Sequence, residues 1–120
     1  MKSLIITVIL FFLLCTIIFA NNIYIKRTAG FICKCVSEDV FEKDPLLATE
    51  KLDEFWRKNH PIVGLSVGYK ELDRMSDLII DLRIYIEIGN ESEIKRIRAL
   101  IAEGANEISR LEFFKLENLL

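Results

Sequence analysis

In 120 residues there is room for one domain at most, and 16 basic against 18 acidic side chains leave it near neutral. The apolar share, 52%, exceeds the roughly 45–50% of an ordinary globular chain, and the excess lies almost entirely before residue 26. Lys2 is the only charge ahead of Lys26, so the remainder holds 15 basic and 18 acidic side chains, a balance that gives no electrostatic reason to bind nucleic acid.

The first element in chain order is the strongest. From Ser3 to Ile25 no residue is charged, and Leu4 to Ala20 is almost continuously aliphatic or aromatic. At ~1.5 Å per residue, about 20 helical residues cross the ~30 Å hydrocarbon core. Residues 4–25 are therefore expected to be an integral span, with Tyr24 at the headgroups and Lys26-Arg27 ending the insertion. A cleaved signal peptide would have an apolar region of only ~7–15 residues and small residues in an A-x-A-like pattern before the cut. Ala20 fits one of those places, but Ile18 is bulky at the other. A lipidated Cys15 fits no better, because Leu14 stands where a small residue belongs. Lys2 and the terminal amine nearly balance Lys26 and Arg27 across the span. The short head favours N-in insertion into the cell membrane, with the C-terminal domain extracytoplasmic.

Residues 26–44 read as a juxtamembrane linker, and 45–120 as a small helical domain near the lower limit for a self-sufficient core. Asp44-Pro45 is a helix start, a capping side chain followed by proline at the first helical position. The helix after it places Ala48, Leu52, Phe55 and Trp56 at helical spacing, with Asp53/Arg57 and Glu54/Lys58 four apart outside. His60-Pro61 is expected to end or kink it.

The next stretch carries two periods at once. Leu65, Tyr69, Leu72, Met75, Ile79, Leu82 and Ile86 recur at three and four, whereas Ile80, Leu82, Ile84, Ile86 and Ile88 alternate with polar residues and Tyr85 as in a strand. Gly64 and Gly68 weaken the start of either reading. Gly89-Asn90 closes the element, and Ser92 is a candidate cap for a last helix. That helix is expected to bury Ile94, Ile97, Leu100, Ile101, Ala105, Ile108 and Leu111.

The run Leu-Asp-Glu-Phe-Trp-Arg-Lys-Asn-His (52–60), then Lys-Glu-Leu-Asp (70–73) and the closing Leu-Glu-Asn-Leu-Leu (116–120) resemble the bacterial membrane-anchored family catalogued as domain of unknown function 4363. The resemblance covers essentially the whole chain, and its motifs are compositional rather than chemical. It implies helix across 62–88, although Val-Gly-Leu-Ser-Val-Gly (63–68) departs from the polar-helical pattern. No activity follows from it. Members are often encoded beside a multi-pass membrane protein, which implies an accessory role next to one.

Five patterns invite a functional reading. Gly64-Leu65-Ser66-Val67-Gly68 matches the G-x-S-x-G nucleophile elbow, but that motif needs a strand before it and an acid and histidine after it. The single histidine, His60, precedes the serine, so a hydrolase using Ser66 and His60 is the weak alternative. Cys33-Lys34-Cys35 falls short of a four-ligand zinc site and leaves a thiol-based redox element as a second alternative. Asp73, Asp77 and Asp81 lie four apart and read as a solvated face before a cation site. Lys95-Arg96-Ile97-Arg98 is a short basic run with acids beside it. Trp56 and His60, four apart, read either as a core tryptophan with a histidine capping the helix end, or as the candidate partner surface, since an aromatic anchor is a common interface hot spot.

The expectation is an all-α chain: a transmembrane helix, a short helix, and a long antiparallel helical hairpin over roughly 62–112. It is expected to act as a non-enzymatic interaction module beside a membrane protein or a second copy, with no cofactor, metal or small-molecule substrate.

Overall fold

The computed structural model describes residues 1–65 and 67–119, with side chains through Leu111 except that of Ser66. Five helices follow in order: α1 (Lys2–Cys35), α2 (Glu38–Phe41), α3 (Pro45–Val63), α4 (Tyr69–Ile88) and α5 (Glu91–Leu119). The chain is all-α, with no strand among the described residues. Its extents, 68 × 21 × 21 Å, are those of a rod whose long axis follows α1, about 51 Å of helix at the standard rise.

Local chemistry sets the helix ends. The Asp44 carboxylate accepts from the Leu47 backbone N–H at 3.1 Å, satisfying an otherwise orphaned donor ahead of Pro45. Gly89 ends α4 at φ +81, a left-handed conformation that glycine adopts without a Cβ penalty. The turn at 89–90 then folds α5 back along α4. The end of α1 is closed from elsewhere: Arg98 Nε and Nη2 donate to the Val36 carbonyl at 3.0 and 2.8 Å, and the guanidinium lies 4.2 Å from the Phe41 ring centroid.

α1 has two halves with different surroundings. Leu4 through Leu14, together with Ile17 and Phe19, leave their large apolar side chains facing outward. Asn22, Ile25, Thr28, Ala29, Ile32 and Cys35 are buried against the rest of the chain. α5 packs antiparallel on this lower half, α4 on α5, and α3 closes the bundle between α1 and α4. The core joins Ile25 and Ile32 to Leu52, Trp56, Met75, Leu82, Ile97 and Ile101.

Three expectations shift. The helix does not stop at residue 25: α1 runs on to Cys35, so much of the stretch read as linker is core-forming helix, and α2 occupies part of the rest. The reason is a 3–4 spacing of small or apolar residues, Ile25, Ala29 and Ile32, that continues past the charges. Pro61 does not end α3, which extends to Val63. Its fixed φ suits a helix, and so near the end its missing N–H removes one bond from the last turn. The hairpin begins at Tyr69 rather than 62, and Leu111, expected inside, is 37% exposed.

Candidate functional site

Trp56 and His60 do share a face of α3, but that face looks inward at Trp56. The indole is 2% exposed, and its Nε1–H donates to Ser76 Oγ of α4 at 2.8 Å. His60 stacks obliquely at 5.9 Å between ring centroids, with Nδ1 3.1 Å from the Trp56 carbonyl oxygen. On the other side of α3, Phe55 stacks on Phe31 at 4.1 Å, and Tyr24 Oη donates to Asn59 Oδ1 at 2.6 Å. The Trp56 part of the candidate surface is thus corrected. The side chain is a packing residue between helices, out of reach of a partner unless α3 separates from α4.

The outward apolar surface lies on α4. Ile80, Ile84 and Ile88 are 56%, 45% and 68% exposed at positions four apart, while Leu72, Met75, Ile79 and Leu82 fill the inner face. Helical spacing puts Asp73 and Asp77 in line with these isoleucines and Asp81 and Glu87 beside them. All four acids are exposed, and no ion pair reaches them among the described residues. Of the helix's cations, Lys70 and Arg74 stand three residues from Asp73 and Asp77 at the start of this face, and Arg83 turns toward Asp53 of α3 at 3.5 Å. The result is an aliphatic stripe with Asp77, Asp81 and Glu87 along it and Lys70 and Arg74 beside Asp73 at its start.

The other motifs take structural positions. Cys33 and Cys35, two apart on a helix, point to different sides; both are free thiols. Cys33 Sγ lies 3.8 Å from the Ala102 carbonyl oxygen and 3.7 Å from Asn106 Oδ1. Burial pushes both thiols up, an effect that Lys51 and Lys34 partly offset at Cys35. A raised thiol is a poor nucleophile at neutral pH, which counts against the redox element. Ser66 lies outside the described residues. The segment leading to it is helix and turn, not the strand an elbow requires. Among the described residues no cluster of three or more potential ligands is placed to hold a metal ion. Of the basic run, Arg98 is committed to Val36 and Arg96 pairs with Glu93 at 2.7 Å. Beside Arg98 and Lys95 an open groove of about 910 Å³ runs between α2 and α5, mixed in polarity and without a converging set of polar groups.

The α4 stripe was visible as the period-two pattern at 80–88. A helix with an inner stripe at 72, 75, 79, 82 and a second at 80, 84, 88 mimics strand alternation, and the second stripe is what sequence reasoning passed over. No family model, curated protein or solved structure matches the chain, so its role rests on this geometry.

Proposed function

We propose that the chain is a single-pass, membrane-anchored helical interaction module whose docking face is the outer side of α4. The observation that carries the reading is the pair of uncovered apolar surfaces on one rigid body: the upper half of α1 and the Ile80/Ile84/Ile88 stripe. The upper half of α1 is long and apolar enough to cross a membrane and none of it is buried in the chain, which supports a span over a core helix. The helix passes through Ala20 without a break, with Ile18 in place of the small residue that cleavage requires. These features favour a retained anchor over a removed signal.

The occupant of the α4 face is an amphipathic helix of a neighbouring membrane protein, with an apolar stripe edged by lysine or arginine. Charge decides against a second copy. An antiparallel pairing about Ile84 sets Asp81 against Glu87 of the other chain, and a parallel one sets each aspartate against itself. The resemblance to the membrane-anchored family points the same way, toward an accessory subunit of a multi-pass protein. Catalysis has no place in this reading. A photo-crosslinking residue at 84, activated in native membranes and read by mass spectrometry of the adduct, tests it. The linked site should lie in a helix with basic residues flanking an apolar stripe. Attachment to a second copy of this chain, or a yield no higher than from Glu103 on α5, would overturn it.

A further inference from the structure

The bundle's membrane-facing end can be located from its own contacts. α3 runs antiparallel to α1, with Phe55 stacked on Phe31 and Asn59 bonded to Tyr24. Continuing α3 at the same rise per residue brings Val63 level with about residue 21 of α1, where the exposed apolar run of that helix ends. α4 begins at this height too, since Trp56 meets Ser76 and Asp53 meets Arg83 in antiparallel order. The corner joining α3 and α4 is therefore at the level where α1 leaves the bilayer.

What the corner displays there is apolar and cationic. Leu65 is 86% exposed, Tyr69 83% and Ile62 48%, and none of the described residues covers Leu65 or Tyr69. From Arg57 to Lys70 the sequence holds Arg57, Lys58 and Lys70 and no carboxylate, Glu71 following with its Oε2 against Gly68; Lys26 and Arg27 are exposed on α1 nearby, so cations outnumber acids at this end. The opposite end of the rod is mixed in charge, with Glu38, Asp39, Asp44 and Glu91 beside Lys43 and Lys95 and with Glu93 paired to Arg96. An exposed leucine and tyrosine flanked by lysines is the composition that binds the headgroup region: apolar side chains enter the acyl boundary, the phenol stays at the headgroups, and ammonium groups meet phosphate.

We propose that the α3–α4 corner is seated on the same bilayer that α1 spans, with Leu65 and Tyr69 in the interface and Lys58 and Lys70 against anionic headgroups. The proposal rests on α1 being a retained span. The domain is then held at two points, and its long axis is fixed near the membrane normal with the α4 face standing out from the surface. Two tethers restrict rotation of the domain and keep that face at constant height for a partner in the same membrane.

The test uses the full chain in vesicles of neutral phospholipid with an anionic phospholipid added, the neutral lipid brominated high on its acyl chains. Tyr69→Trp and Ile88→Trp each add one indole to the buried Trp56, at the two ends of α4. The Tyr69→Trp indole should lose most of its added emission to bromine while the Ile88→Trp indole loses none. Adding Lys58→Glu and Lys70→Glu to Tyr69→Trp should reduce the loss. Equal quenching at both ends, or none at either in protein that floats with the vesicles, overturns the corner contact and leaves the anchor standing. Protein that does not float overturns both.

Discussion

Trp56 and Ser76 form a polar link inside an otherwise apolar seam, and such a link is asymmetric in its energetics. Ser76→Ala leaves the buried indole N–H without an acceptor and should cost about 1–3 kcal/mol. Trp56→Ala adds a cavity and should cost about 3–5 kcal/mol. Chemical denaturation of the vesicle-free or detergent-held chain reads both. Asn22 predicts the reverse sign. It is 7% exposed, and its Oδ1 has no hydrogen-bond partner among the described residues. Asn22→Leu removes that unmet group at similar volume, and the melting temperature should rise by a few degrees, as for a gain of ~1 kcal/mol. A third residue-scale expectation concerns the thiols. With their ionisation shifted upward by burial, Cys33 and Cys35 carry less thiolate at pH 7–8 than a free cysteine. Maleimide or iodoacetamide should label them slowly in the folded chain and promptly after denaturation. Fast, equal labelling in both states would show that the α1–α5 seam is open.

At the level of elements, α4 separates what was legible in the sequence from what was not. Its inner stripe, its glycine stop and the antiparallel return into α5 follow from periodicity and capping chemistry. The strand-like alternation had a physical cause, a second apolar stripe that stays exposed at Ile80, Ile84 and Ile88, and pattern alone cannot assign a stripe to core or to surface. Trp56 shows the converse: an aromatic at helical spacing reads equally as an anchor or as packing until its neighbours are known. The lower half of α1 was hidden because Lys26 and Arg27 look like the end of an element, whereas on a helix they face outward while Ile25, Ala29 and Ile32 face in. Paired substitutions on α4 separate its two faces. Ile79→Ala empties a buried site and should cost ~2–5 kcal/mol, enough to threaten a domain of this size. Ile84→Ala should change stability by no more than about 0.5 kcal/mol, while crosslinking to the partner from a neighbouring position on the stripe falls. Equal destabilisation by the two would mean the outer stripe is packed within the chain itself.

For the whole molecule, one continuous helix is both the proposed membrane span and the core strut. Ile25 and Ile32 are fully buried in the bundle, and Phe19, higher on the same helix, is 51% exposed. A flexible linker would let the domain wander; this arrangement makes its orientation follow that of the span. The anchor, the docking face and the seated corner all depend on residues 2–20 remaining attached. Intact-mass spectrometry of the protein extracted from native membranes is the most direct measurement of that. The account predicts a chain that retains Leu4 through Ala20 and resists extraction by carbonate. A chain whose first residue is Asn21, recovered in the soluble fraction, would contradict it.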